Sequence, residues 1–187
     1  MEEQANNSLN FMAISNSGMK IVHTLLRNQN FLKLSRLMVE YPTSQYCRME
    51  ELLMDAISSG GSQDGLFVLT PSVEAVALEK RVYIHFFPYK PASKIGISLA
   101  DGVHASYYAM NIFVPNDYAL IEDGTQWRSF AIFNEVSKSI HGKRITGIGQ
   151  VQIVDWESLT VKNNPSFSSL SCVIGVNHAT AHQAFEI

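Results

Sequence analysis

The 187-residue chain has few cysteines, few charges and no long hydrophobic run, and each shortage excludes a class of protein. Only two cysteines occur, Cys47 and Cys172, so no framework of disulfides holds the fold together. The apolar segments are of strand length, and the sequence therefore predicts no membrane span. The net charge of −3 provides no electrostatic basis for binding nucleic acid.

The residues that are abundant indicate a folded domain. Hydrophobic residues make up 46% of the chain and charged residues 17%, a balance that is typical of a globular protein. The Asn- and Ser-rich start predicts a flexible segment over residues 1–17, and a single domain follows over residues 18–187.

Hydrophobic spacing predicts helices at the start of this domain. Apolar residues recur at helical spacing over Met19–Val39, as one broken helix or two short ones, and again over Arg48–Ser58. Further helices are expected over Ser72–Lys80, between two strands, and over Ser168–Glu186, at the end of the chain.

The periodicity changes after the first helices. Short segments rich in β-branched and aromatic residues follow, separated by Pro, Gly and Asn/Asp. They are GLFVLT, RVYIHFF, KIGISL, SYYAMNIFV, YALIE, RSFAIF and VQIVDW. The stretch Phe130–Ile140 fits a strand or a helix. The predicted fold class is α+β, with N-terminal helices followed by a mostly antiparallel sheet and a C-terminal helix.

A predicted hairpin places a histidine next to two acids. Turn signals on both sides of Ala105–Val114 predict that Tyr118–Glu122 runs back antiparallel to it. His104 would then lie beside Glu122 or Asp123, within reach of a hydrogen bond. A carboxylate bonded to one imidazole nitrogen leaves the other free to act as a base.

Cys172 is the candidate nucleophile for such a base. In SSLSCVIGV the serines can form the first turn of the closing helix, where the helix dipole favours a thiolate. Cys47 is an alternative, but nothing distinctive surrounds it, which favours a structural thiol. Cys172 also has a structural interpretation, because a buried free cysteine often behaves as a small hydrophobic residue.

The order His104, Glu122, Cys172 resembles that of a clan of thiol enzymes that includes ubiquitin-like-protein proteases, the adenovirus protease and the YopJ-like effector acetyltransferases. GISLADGVHASYYAMNIF is similar to the clan's strand–Gly–His–strand unit, and YALIED to the strand that ends in the orienting acid. SSLSCVIGV resembles the serine-rich approach to the YopJ-family nucleophile. The chain departs from the clan in having no Gln in KNNPSFSSLS, the segment just before Cys172, which leaves Asn164 as a candidate oxyanion donor. It also has Val173 where Gly is usual.

The resemblance implies acetyl transfer from acetyl-CoA to Ser, Thr or Lys of a host protein through a thioester on Cys172. It also implies inositol hexakisphosphate as a second ligand, and a bacterial cytoplasmic protein that is secreted into a host cell. Cleavage of a ubiquitin-like protein would use the same three groups and stays open. No metal is expected, since the helical spacing of His178, His182 and Glu186 lacks the glutamate of the HExxH zinc motif.

A function of a different class also fits the sequence. The chain can be a non-catalytic α+β protein-binding module or an inhibitor, whose sheet presents aromatic side chains to a partner. The aromatic residues proposed for that surface are Tyr83, Phe86, Phe87, Tyr107 and Tyr108.

Overall fold

The computed structural model describes residues 11–54, 56–57, 65–69, 80–89, 104–160 and 166–178. Within them, three helices come first, and strands of very different lengths follow, with a fourth helix among them. In chain order the elements are α1 (Phe11–Leu26), α2 (Gln29–Arg36), α3 (Met49–Leu53), β1 (Phe67–Val68), β2 (Tyr83–Pro88), β3 (His104–Pro115), a 3₁₀ turn (Asn116–Tyr118), β4 (Leu120–Ile121), β5 (Gln126–Trp127), α4 (Arg128–Ile140), β6 (Arg144–Ile145), β7 (Gly149–Thr160) and β8 (Phe167–His178).

The main sheet has the strand order β1-β2-β3-β8-β7-β6, and β4 and β5 form a separate two-stranded ribbon. Strands β1 and β2 are parallel, and every other neighbouring pair is antiparallel. Strands β3 and β8 pair along their whole length, from His104 opposite His178 to Pro115 opposite Phe167. They form the centre of the sheet, because each has a long partner on its other side as well.

Helices α1, α2 and α4 cover one face of the sheet, which we call the helix-covered face. Apolar residues of the three helices and of strands β2, β3, β7 and β8 form one continuous core there. Asn28 fixes the start of α2 and joins it to α4. Its side chain accepts a hydrogen bond from the Phe31 backbone N–H (3.1 Å) and donates to Glu135 (3.0 Å) and Ser139 (2.9 Å).

The opposite face of the sheet carries a polar row across four strands. His85 in β2 lies beside Asn111 in β3, which lies beside Ser171 in β8, which in turn lies beside Glu157 in β7. Residues that pair directly across antiparallel strands point to the same face. The Ser171 hydroxyl donates to Asn111 Oδ1 at 2.6 Å. A small apolar cluster lies on this face as well, made of Val68, Tyr83, Phe113 and Phe167.

The predicted α+β class is confirmed, with helices first and then a mostly antiparallel sheet. Helices α1 and α2 correspond to the broken helix predicted over Met19–Val39. Helix α1 begins at Phe11, inside the stretch 1–17 predicted to be flexible, and Ser17 is buried there. In the described part of the chain, no helix is both long and apolar enough to cross a membrane.

Two local predictions are wrong. Residues 168–178 form strand β8 and not the start of a closing helix, because Leu170, Cys172 and Ile174 face the core with the two-residue period of a strand. RSFAIF lies in helix α4, which resolves the ambiguity of Phe130–Ile140 in favour of a helix. KIGISL, residues 72–79 of the predicted Ser72–Lys80 helix and residues 179–186 lie outside the described residues.

The predicted hairpin is also wrong. Strand β3 pairs with β2 and β8, whereas β4, which consists of Leu120 and Ile121 of YALIE, pairs with β5. The turn after Pro115 is real but leads into the β4–β5 ribbon. Local turn signals do not show whether β3 pairs with the next segment of the chain or with a distant one. Strand β8, the actual partner, begins about fifty positions after Pro115.

Candidate functional site

The structure does not bring His104, Glu122 and Cys172 together. His104 is the first residue of β3, and Glu122 lies in the turn after β4, beyond the last residue of β3. Cys172 pairs with Met110, six positions along β3 from His104, which corresponds to roughly 20 Å of strand. Measured along β3, His104 is therefore at the start of the strand, Cys172 is opposite its middle and Glu122 lies beyond its end.

Cys172 is sealed in the core. It lies in the middle of β8 between Met110 of β3 and Trp156 of β7, and only 1% of it is exposed. Burial raises the pKa of its thiol to about 12, so the sulfur stays protonated at neutral pH. In this position Cys172 acts as a small hydrophobic residue. Cys47 is half-buried and packs against the same core.

Glu122 and Asp123 hold a loop. Both have positive φ angles, 54° and 55°, and they turn the chain between β4 and β5. The Glu122 backbone N–H donates to the Glu40 carbonyl oxygen (3.1 Å), and its carboxylate accepts from the Thr43 hydroxyl (3.5 Å). Asp123 accepts a hydrogen bond from the Tyr41 hydroxyl, which raises the pKa of Tyr41 to about 12. The two acids thus tie this turn to the loop after α2.

The remaining candidates lie partly outside the described residues. Asn164, His182 and Glu186 lie outside the described residues. His178 is the last residue of strand β8. Among the described residues, no group of three or more His, Cys, Asp or Glu side chains is placed to hold a metal ion.

The aromatic surface predicted for a binding module is not available. Tyr83, Phe86 and Tyr108 are buried, with exposures of 3%, 4% and 1%. Phe86 and Tyr108 stack in the core, with ring centroids 5.3 Å apart, and the Tyr108 hydroxyl donates to the Ile14 carbonyl oxygen. Phe87 and Tyr107 are partly buried. The prediction of this surface is wrong because Phe86 and Tyr108 lie in the core under the helices, and Tyr83 lies in the small apolar cluster of the opposite face.

A different set of apolar side chains is exposed, at the β4–β5 ribbon, the start of α4 and strand β7. We call this set the aromatic strip. Its members are Leu120 (49% exposed), Trp127 (55%), Phe130 (41%) and Trp156 (52%). Both tryptophans of the chain belong to it, although tryptophan is usually a well-buried residue.

The members of the aromatic strip are linked in pairs. Leu120 and Trp127 are register partners on the exposed side of the β4–β5 ribbon. Trp127 is the residue before α4 and Phe130 lies in its first turn, so the two adjoin at the start of the helix. Trp156 meets the edge of Phe130 with ring centroids 5.9 Å apart, and it also contacts Phe133 at 6.0 Å. The arrangement gives a connected apolar surface and not scattered single residues.

A buried arginine fixes the position of the strip. Arg128, the first residue of α4, is 0% exposed and donates to the backbone carbonyl oxygens of Leu34, Leu37, Val39 and Tyr118 at 2.6–2.9 Å. Burial lowers the pKa of its guanidinium to about 10, which still leaves it charged at neutral pH. Three of its acceptors lie at or just beyond the C-terminal end of α2, where the helix dipole favours a cation.

The surroundings of the strip are acidic. A surface cavity of ≈ 400 Å³ next to Leu120 is lined by Glu40 and Asp117, among other residues. Glu122 and Asp123 lie in the adjoining turn, and only Asp117 of these acids forms an ion pair among the described residues, with Lys80 at 2.5 Å. Exposed Asp155 and Glu157 flank Trp156 along β7, but they pair with Val173 and Ser171 and so lie on the opposite face of the sheet. The strip thus has negative charge beside its Leu120 end, and Trp156 has two carboxylates across the sheet from it.

Sequence reasoning missed the strip, although one signal was present. In DWESL, Trp156 stands between two acids, and a large aromatic residue in a charged context is atypical of a strand buried on both faces. The same signal marks GTQWR, where Trp127 follows polar residues.

Comparison with known proteins identifies the family of the chain. No curated protein matches the chain. The family model described as YomW matches residues 28–173, which is well over half of the sequence and includes the aromatic strip and Cys172. The chain therefore belongs to the YomW family.

Proposed function

We propose that this YomW-family chain is a protein-binding module that docks a partner protein on the aromatic strip. The observation that carries the proposal is the connected exposure of Leu120, Trp127, Phe130 and Trp156. Trp and other aromatic residues dominate the binding energy of protein interfaces, because they bury a large area with few rotatable bonds. Arg128, between Trp127 and Phe130, anchors the start of α4 through hydrogen bonds to the Leu34 and Leu37 carbonyl oxygens.

The thiol-enzyme hypothesis stays a prediction, and the burial of Cys172 favours the binding proposal over it. A nucleophilic cysteine needs a thiolate and access to the substrate, whereas burial raises the pKa of Cys172 to about 12. The acetyl-CoA and inositol hexakisphosphate ligands, and the host-cell setting implied by the resemblance, depend on that same hypothesis.

The binding proposal is tested by site-specific photocrosslinking in the organism that makes the protein. A photoreactive phenylalanine at position 127 or 156 is expected to trap the same protein partner. The same group at Tyr46, which is 91% exposed but outside the strip, should not trap it. With the purified partner, Trp127→Ala/Trp156→Ala is expected to raise Kd by about 100-fold or more, because each is a central aromatic residue.

The matched control is Tyr46→Ala/Met54→Ala, which removes two exposed side chains elsewhere and should leave Kd unchanged. Equal affinities of the strip variant and the control variant would refute the proposal. Cys172→Ala should bind the partner as the wild-type chain does. If incubation with labelled acetyl-CoA instead leaves label on Cys172 or on the partner, and Cys172→Ala abolishes it, the enzyme hypothesis replaces the binding proposal.

A further inference from the structure

Strand β7 has an open edge next to the aromatic strip. On the side of β7 away from β8, strand β6 pairs only with Gly149 and Gln150. The loop before β6 then hydrogen-bonds both the N–H and the C=O of Val151. His141 Nδ1 then accepts from the Ile153 N–H at 3.1 Å. Beyond Ile153 no described strand or loop pairs with this edge, although β7 continues to Thr160.

The exposure of residues 155–158 agrees with an edge that no described element covers. The four consecutive residues Asp155, Trp156, Glu157 and Ser158 are all exposed. Successive side chains of a strand point to opposite faces, so a run exposed at every position is open on both faces. Unpaired N–H and C=O groups along such an edge are a template for another strand.

The two faces of the open edge differ in chemistry. Trp156 lies on the helix-covered face, where it contacts Phe130 of α4. Asp155 and Glu157 pair with Val173 and Ser171, which places them on the opposite face. A strand added here would have its residues alternately next to an aromatic surface and next to two carboxylates.

The charges argue against a second copy of this chain as the added strand. In an antiparallel pairing of two copies about Trp156, Asp155 of one copy would lie opposite Glu157 of the other. Like charges directly opposite each other destabilise a strand pair.

We propose that the open edge of β7 accepts an extended segment of the partner in which basic and apolar residues alternate. This inference rests on the proposed function, and it names the chemistry of the partner. The apolar residues would contact Trp156 and Phe130, while Lys or Arg would pair with Asp155 and Glu157. The Trp156 backbone N–H, now bonded to the Asp155 carboxylate at 2.8 Å, would turn to the added strand and release that carboxylate for a basic side chain.

The test uses the full chain and a synthetic peptide, acetyl-Lys-Val-Lys-Leu-Lys-Val-Lys-amide, with Kd measured by calorimetry at two salt concentrations. The peptide is expected to bind, and Asp155→Lys/Glu157→Lys is expected to weaken binding about tenfold or more, because attraction becomes repulsion at both positions. Glu50→Lys/Glu51→Lys has the same change in net charge at exposed sites in α3, away from β7 and the aromatic strip, and should weaken binding much less. Hydrogen exchange should show new protection of backbone amides within residues 155–160.

Two control peptides separate strand addition from simple charge attraction. A peptide of the same sequence with N-methyl groups on alternate residues keeps the charge but cannot form the ladder, and it should bind at least tenfold more weakly. A peptide with Glu in place of Lys should not bind. Equal affinities for the methylated and unmethylated peptides, or equal weakening by the two charge-reversal variants, would overturn the inference. If crosslinking through positions 127 and 156 nevertheless succeeds, the binding function stands and only the β7 edge is excluded.

Discussion

Cys172 and Trp156 are neighbours in the sheet, yet they lie in opposite environments. They pair directly across β8 and β7 and point to the same face, but Cys172 is 1% exposed and Trp156 is 52% exposed. The difference comes from what surrounds each strand. Strand β8 has long partners on both sides and α4 above it, whereas β7 is open beyond Ile153. The residue with nucleophilic chemistry is thus enclosed, and the residue suited to contact is accessible.

The next row of the sheet repeats this contrast. His85 is 0% exposed, and neither of its ring nitrogens has a hydrogen-bond partner among the residues that the structure describes. Glu157, three strands away in the same row, is exposed. A change to a polar group in the centre of the sheet is therefore expected to alter stability. A polar group at the β7 edge is accessible to solvent and to the proposed partner.

The largest effect is expected from Arg128, a polar group of the interior. Arg128→Met removes the donors of four hydrogen bonds and leaves carbonyl oxygens of the loop after α2 without a partner. We expect the free energy of unfolding to fall by about 4 kcal/mol, measured by urea denaturation. The exposed Arg144 is the control, and Arg144→Met should change stability by less than about 0.5 kcal/mol. Similar losses for the two variants would contradict the contrast between interior and surface.

His85 is expected to make stability depend on pH. Burial lowers its folded-state pKa from 6.5 to about 4, and the Phe113 ring packs against it at 5.0 Å. Because the unfolded chain binds the proton more tightly, the stabilisation is complete above pH 6.5 and is lost as the pH falls towards 4. The loss amounts to about 3 kcal/mol, since one pKa unit corresponds to about 1.4 kcal/mol.

The measurement is urea denaturation of wild type and His85→Phe between pH 7 and pH 4. His85→Phe should lose less stability over that range by about 3 kcal/mol, because the titrating group is gone. Parallel pH profiles for the two proteins would show that His85 titrates normally in the folded state.

The smallest effect on stability is expected at the open edge. Trp156→Ala should lower the free energy of unfolding by about 1 kcal/mol, since half of the side chain is already exposed. Met110→Ala, in the same row but 0% exposed, should cost about 2–5 kcal/mol. Urea denaturation of both variants tests the comparison. If Trp156→Ala is as costly as Met110→Ala, Trp156 is part of the core and the aromatic strip is smaller than proposed.

The helical part of the fold could be predicted better than the sheet, for a physical reason. The break between α1 and α2 follows from local spacing and from the cap at Asn28, which bonds the backbone three residues on. The pairing of β3 with β8 joins residues more than fifty positions apart, and local signals do not specify which strand becomes a neighbour. SSLSCVIGV did carry the two-residue period of a strand, and its serines were interpreted as a helix start instead.

The candidate site was predicted less well, because it depends on burial. His104, Glu122 and Cys172 have suitable chemistry, but the sequence does not state how far apart they fold or that the thiol is enclosed. Trp127 and Trp156 are of a residue type that is usually buried. They are exposed because β5 is only two residues long and because no described strand pairs with the edge of β7 at Trp156.

The sequence by itself determined that this chain forms one α+β fold with helices before a mostly antiparallel sheet, because spacing and turn chemistry act between near neighbours. The tertiary structure alone decided which strand lies at the centre and which at the edge. That choice encloses Cys172 and exposes Trp156, because burial depends on all the elements that surround a residue and not on the residue itself.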